Sequence, residues 1–197
     1  MFIYGLLDGE HDPIAKGKEG EYLVARILLS KFNTEPHILL NNVVLLDSKS
    51  FAHQIDHIEI REKGIFVIET KNMEGSIRGK AEDDKWIVTS PLKTYKIYNP
   101  LKQNETHIKV LKSLLKKHIK RDIPIYSVVV FVSNNAKFLG IENVINATHL
   151  RKYLNDLTLK KTFTMDEMKK IEEVIINNDY RDKVSVTIQN RNALKSN

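Results

Sequence analysis

Apolar residues first recur at helical spacing behind Gly17-Lys18-Glu19-Gly20-Glu21. Leu23, Ile27 and Leu28 fall on one side, with Val24 filling it, which predicts a helix over about Lys18–Phe32 that stops before Asn33 and Pro36. The period then changes. His37–Leu46 is rich in aliphatic residues and reads as a strand, and Asp47–Phe51 is a polar turn. Two strand-like runs follow back to back, Gln54–Ile60 and Gly64–Lys71, joined by the tight Glu62-Lys63-Gly64 connection of a hairpin. Glu74–Gly79 and Lys85–Val88 read as short antiparallel strands. Asn99-Pro100 places a cap and a first-turn proline at the start of a long helix, which reaches about His118 and buries Leu101, Ile108, Leu111 and Leu115.

Ile125–Val132 is an almost unbroken β-branched run, the pattern of a central strand covered on both faces. Ala147–Asn155 and Thr164–Ile176 read as helices, the second opened by Thr164 and Glu167 at capping-box spacing. Val184–Ile188 is an expected edge strand, and a polar tail follows Gln189. The order helix, strands, helix, strand, helices predicts an α/β fold with a mixed central sheet.

Composition narrows the chemistry. The 197 residues are 42% hydrophobic and 28% charged, ordinary for one soluble domain with a real core. The absence of cysteine removes disulfides, thiol nucleophiles and thiolate metal sites from consideration, and suits a cytoplasmic setting. The apolar runs are too short to span a bilayer, and Met1–Leu7 lacks the layout of a signal peptide. A formal charge of +6 leans towards polyanions. Lys109, Lys112, Lys116, Lys117, Lys120 and Arg121 crowd one helix and its end, either as a solvated face or as a surface that tracks phosphates.

Charge also stands where a buried strand should be apolar. Residues two apart on a strand share a face, so Glu69 and Lys71 project beside Ile65 and Val67, and Asp56 beside Ile58 and Ile60. Asp, about a dozen residues, then Glu-x-Lys suits a metal-dependent phosphodiesterase: two carboxylates for a divalent cation and an ammonium next to a phosphate. A structural ion-pair network is the plainer alternative. Glu21, one turn into the first helix behind Gly17 and Gly20, is positioned to be a third carboxylate if those glycines let the backbone come close; otherwise it is an acid favoured near a helix start. Gln103 and His107 lie four apart on one helix face, where they could bind phosphate oxygens or position a water. His53 and His57 share a strand face opposite to Asp56, which makes them poor partners for the same ion.

These blocks occur in an order that resembles a known family. Gly17-x-x-Gly20-Glu21, Leu40-Asn41, Gln54–Ile58, Gly64–Lys71, Gly75-x-Ile77-x-Gly79, Trp86 and Asn99-Pro100-x-x-Gln103-Asn104-x-x-His107 together resemble the nuclease-related domain (NERD), over roughly Ala15–Leu115. The family is assigned to the PD-(D/E)XK nuclease superfamily. The resemblance therefore implies a restriction-endonuclease-like fold, a mixed central β-sheet flanked by helices, with the site at the ends of central strands. It divides the chain into an N-terminal extension (1–14), a nuclease-like core (15–130), C-terminal helices with an edge strand (131–189) and a tail (190–197).

Carried over by position, the resemblance makes Asp56, Glu69 and Glu21 the metal ligands, Lys71 the residue that activates or stabilises the nucleophile, and Gln103 a polar member of the catalytic set. Ile55 stands where the superfamily places a proline with no chemical role. The implied cofactor is Mg²⁺ or Mn²⁺, since hard oxygen ligands suit these ions. The implied activity is hydrolysis of nucleic-acid phosphodiesters, DNA rather than RNA, in DNA processing or repair. Lys109, Lys112, Lys116, Lys117, Lys120, Arg121 and His107 would contact the nucleic acid, and a homodimer would let two copies cut both strands. The rival reading is a non-catalytic DNA-binding or scaffold module that keeps the fold and uses the basic helix alone.

Overall fold

The computed structural model describes residues 13–30, 35–133, 141 and 143–182. The expected edge strand over Val184–Ile188 and the polar tail lie outside these residues. The first helix, α1 (Pro13–Leu28), starts five residues before the expected Lys18. A first-turn proline starts a helix without any apolar signal, because its fixed φ suits the helix and its missing N–H would have been unpaired there.

Five strands form the main sheet: β1 (His37–Leu46), β2 (Ala52–Arg61), β3 (Gly64–Lys71), β7 (Ile125–Phe131) and β8 (Val144–Asn146). Their spatial order is β1-β2-β3-β7-β8; β1, β2 and β3 pair antiparallel, whereas β7 runs parallel to both β3 and β8. The β2–β3 turn depends on Gly64, whose φ of 146° is unfavourable for a side chain and whose Cβ would stand 2.6 Å from the Tyr126 ring. A separate three-stranded antiparallel sheet holds β4 (Ser76–Arg78), β5 (Lys85–Thr89) and β6 (Thr94–Tyr98). Sequence periodicity misses β6, which alternates between exposed and half-buried positions, and β8, which is three residues long.

Helix α2 (Pro100–His118) begins at the expected cap: the Leu101 N–H donates to Asn99 Oδ1 at 2.9 Å. It buries Leu111 and Leu115 as expected, while Leu101 and Ile108 are only half-buried. Their places are taken by Asn104 and His107, both buried. Asn104 Nδ2 donates to Val67 O and Ser127 Oγ, each at 2.8 Å, so one amide ties α2 to both β3 and β7. A 3₁₀ turn (Ala147–His149) leads into α3 (Leu150–Asp156), and α4 (Met165–Asn177) opens on the expected capping box. No helix among the described residues is long and apolar enough to cross a membrane.

Helices cover both faces of the main sheet. Ile58, Ile60, Ile65 and Val67 pack with Leu111 and Leu115 of α2 and with Met168, Ile171 and Ile175 of α4. Phe66, Ile68, Val128 and Val130 pack with Val24 and Leu28 of α1 and with Leu150 and Leu154 of α3. One irregularity interrupts this order. On β1, Ile38 and Leu40 face α2, but beyond Asn42 it is Val43 and Leu45 that join the same core; on β2, Ile55 joins Ile58 there. Both strands change phase at one level, where Asn42 takes the left-handed φ of 56°. Such a break re-aims side chains on either side of it.

Candidate active site

The β2–β3 ladder ends at His57 opposite Ile68, while β3 continues to Lys71 alongside β7. Asp56 sits where the strands part, and its Oδ2 accepts the Thr70 N–H at 2.8 Å. Its carboxylate thus replaces a missing ladder bond. Glu69 projects from β3 on the α2 side and is only 2% exposed. Lys71, two residues on and sharing that face, donates from Nζ to Glu69 Oε1 at 2.7 Å and to Gln103 Oε1 at 3.0 Å. Gln103 is in the first turn of α2, so the helix start supplies a neutral acceptor that fixes the ammonium.

Glu21 reaches the same region from α1. Gly20 makes this possible: a Cβ there would lie 2.7 Å from Asn72 Cβ, just past the end of β3. The expectation that Gly17 serves the same close approach is corrected, because a Cβ at Gly17 would meet nothing within 4 Å. Glu21 and Asp56 each raise Glu69's proton affinity, and Asp56 raises that of Glu21. The three expected acids are therefore within electrostatic reach of one another, with Lys71 among them.

The balance of that cluster is uneven. Burial first, then Asp56, push Glu69 up to about 7, although Lys71 pulls it down. Burial also raises Asp56, against the Thr70 N–H and Lys71, and it raises Glu21. Glu69 Oε2 is buried and has no hydrogen-bond partner. The nearest imidazole, His107 Nδ1, stands 3.5 Å from it, too far for a good hydrogen bond. His107 is buried and held neutral, its pKa lowered to about 4 by burial first and then by His53 and Lys71. It was expected on the nucleic-acid face and instead backs Glu69 from inside the core.

The donor set fits a hard divalent cation. It offers carboxylate oxygens, one of them orphaned, in a place with more buried negative than positive charge. Among the described residues no three acid or imidazole side chains are grouped closely enough to hold a metal by themselves. Mg²⁺ commonly takes one or two carboxylates and completes its shell with water and phosphate.

Two histidines are divided by the strand break. His53 was expected to share a face with His57; instead its ring centroid lies 6.5 Å from that of His107, on the α2 side. His57 borders a cavity on the α1 side, with Glu21 and Gln54. The signal for this shift was Asn41-Asn42 inside an aliphatic strand, since Asn tolerates the left-handed region best among non-glycine residues.

The basic cluster lies elsewhere. Lys112, Lys116, Lys120 and Arg121 border a cavity of about 630 Å³ at the far end of α2. From Gln103 to Lys116 the helix advances roughly 20 Å at 1.5 Å per residue. Lys109 pairs with Glu105, Lys112 with Asp122 and Arg121 with Glu167. Lys116, Lys117 and Lys120 are exposed and carry the positive surface. Sequence reasoning also passed over Glu59 and Arg61, which form a fully buried ion pair at 2.9 Å on β2.

Residues 16–132 match the family described as nuclease-related domain. An uncharacterized protein of Bacillus anthracis is 34% identical over 179 residues, covering 88% of this chain and 82% of that relative. No solved structure matches the chain significantly.

Proposed function

The chain belongs to the nuclease-related domain family, and on that premise we propose that it is a metal-dependent nuclease that hydrolyses phosphodiester bonds of nucleic acid, DNA rather than RNA. The observation that carries this reading is Glu69: a buried carboxylate with an unpartnered oxygen, next to Asp56, Glu21 and a single lysine. A buried excess of acid is costly, and a divalent cation relieves it. Asp56 and Glu69 would hold Mg²⁺ or Mn²⁺, with Glu21 as an outer carboxylate. Such an ion, when bound, neutralises phosphate charge and makes a bound water more acidic.

The chain's own groups do the rest. Asp56 is fixed by the Thr70 N–H, so its second oxygen is presented without rotamer freedom. Lys71 is held between Glu69 and Gln103, which leaves its remaining N–H to meet a phosphate oxygen or the attacking water. His107 fills the space behind Glu69 as a neutral ring and does not compete with Lys71 for the carboxylate. The exposed lysines at the far end of α2 would hold the backbone of a longer substrate. The setting proposed is DNA processing or repair in the cytoplasm, and two copies would serve to cut both strands.

Cleavage of single-stranded and duplex DNA, with RNA in parallel, in Mg²⁺ or Mn²⁺ tests the reading. Wild type should cut, and Glu69→Ala and Lys71→Ala should each lose at least about 100-fold while staying folded. Wild type that binds DNA but cuts under no metal, with binding unchanged in both variants, would establish the non-catalytic module instead.

A further inference from the structure

We propose that the cavity on the α1 side of the strand break is a nucleobase pocket, which takes the base of an unpaired nucleotide whose phosphate lies beside Lys71. The inference rests on the nuclease reading and names the part of the substrate which that reading leaves unplaced. The cavity measures about 560 Å³ and is bordered by Lys18, Glu21, Tyr22, Asn42, Gln54 and His57, among others. That volume lies within the range of small-molecule sites.

Its polar groups are arranged to read a base edge. His57 is 1% exposed, and its Nδ1 donates to Asn41 Oδ1 at 2.7 Å. That bond fixes the proton on Nδ1 and makes Nε2 an acceptor, which is buried and has no partner. The donor it lacks is of the kind a base carries, an exocyclic amine or a ring N–H. Nearer the mouth, Gln54 Nε2 donates to Asn42 Oδ1 at 2.9 Å, so Gln54 Oε1 and Asn42 Nδ2 present an acceptor and a donor side by side. The left-handed backbone at Asn42 holds that pair in place. Tyr22, 64% exposed at the rim, offers a ring face for stacking.

Charge decides which part of a nucleotide enters. Glu21 and Lys18 both border the cavity and offset each other, so it offers no net positive charge to draw a phosphate inside. Glu21 also acts electrostatically on Glu69, so the cavity and the acid cluster share one wall. A neutral base lodged here therefore brings its own phosphodiester to Lys71. A base paired and stacked in a duplex cannot enter, so the pocket selects single strands, frayed ends or an extruded nucleotide. Gly17 keeps the space open, since no atom stands within 4 Å of a Cβ built on it.

The test uses the four deoxynucleosides, without phosphate or metal, titrated into the full chain and followed by the His57 imidazole nitrogen resonances. At least one amino-bearing deoxynucleoside should bind and move the Nε2 signal. Gln54→Leu, at an exposed position, should weaken that binding by about fivefold to tenfold. Gly17→Leu fills the cavity from a helical site and should abolish binding without loss of fold, whereas Lys71→Ala should retain it. Deoxynucleosides that leave His57 unmoved up to their solubility limit, or binding that survives Gly17→Leu, overturn the pocket. The two readings separate cleanly: metal-dependent cleavage with a silent His57 sinks the pocket alone, and nucleoside binding without cleavage under any metal sinks the nuclease alone.

Discussion

Strand β2 carries two buried ionic clusters, and they differ in their arithmetic. At one end, Glu59 and Arg61 share a face of the strand as a one-to-one pair at 2.9 Å, with Arg61 Nη1 also donating to Asn155 Oδ1 at 3.2 Å. Midway along the strand, Asp56 meets Glu69 and Glu21 around Lys71, with Lys18 also acting on Glu21. The first cluster neutralises itself and ties β2 to α3. Each cluster leaves one carboxylate oxygen without a hydrogen bond, Glu59 Oε2 and Glu69 Oε2, but only the second is left with more buried acid than base. A self-neutral pair is what a fold keeps for its own integrity. An unbalanced set persists against stability, and it makes sense only if something positive arrives from outside.

The largest effect expected from this contrast is on stability, at the balanced end. Arg61→Met leaves Glu59 buried without its counter-charge and should cost about 3–5 kcal/mol. Denaturant unfolding measures it. A loss of less than about 1 kcal/mol would mean that the pair contributes little and that the contrast between the two clusters is false.

Glu69→Gln should behave in the opposite way, with cleavage abolished and the metal-free protein gaining about 1–3 kcal/mol above pH 7. The sign follows from the pKa. Glu69 sits near 7 when folded and near 4.5 when unfolded, so the folded state holds a proton that the unfolded state has released. Ionisation therefore destabilises wild type progressively from about pH 4.5 to 7, and fully above that. The advantage of Gln should vanish below that window. Saturating Mg²⁺ or Mn²⁺ should cancel it above pH 7 by stabilising wild type only. The acid limb is common to both proteins: His57 and His107 are lowered to about 4, so stability falls as pH drops from about 6.5 to about 4. A Gln variant no more stable than wild type at pH 8 would remove the claim of stored electrostatic cost.

How much of this was legible in the sequence depends on what kind of signal each part leaves. Glu69 and Lys71 were legible because period-two alternation assigns faces directly and β3 is regular throughout, whereas Asp56 was legible only as a charge within β2, since it stands at the strand break between Ile55 and His57. Glu59 and Arg61 left the same alternating signal, yet a charge pair in an aliphatic strand does not say whether it is buried and satisfied. His53 was misassigned because one left-handed residue, Asn42, shifts the phase of both strands, and periodicity carries no information across such a break. The basic cluster was visible as a composition, but its separation from Glu69 depends on how α2 lies along β3, a tertiary fact. The closeness of Glu21 was legible in Gly20, though not in Gly17.

Gly20 gives a third, smaller test, because it couples the unbalanced cluster to packing. Gly20→Ala adds a methyl group 2.7 Å from Asn72 Cβ, so α1 must shift. Overpacking of this kind typically costs about 1–3 kcal/mol, while removing a helical glycine returns about 1 kcal/mol. Stability should therefore fall by only about 1 kcal/mol. Cleavage should fall much further if Glu21 acts from its present position. Equal, small changes in both would demote Glu21 to a rim acid.

The smallest effect concerns the far end of α2. Replacing Lys116, Lys117 and Lys120 by Gln should change stability by less than about 0.5 kcal/mol, since exposed charges contribute little. Binding to long duplex DNA should lose salt dependence, its log–log slope shrinking by about 2–3 if all three lysines meet phosphates. Because these residues stand roughly 20 Å along the helix from Gln103, the defect should shrink as the substrate is shortened below that span. A defect independent of substrate length would put the substrate on another path. The positive surface would then be a solvated face, and the acid cluster would have to hold its substrate through the α1 side alone.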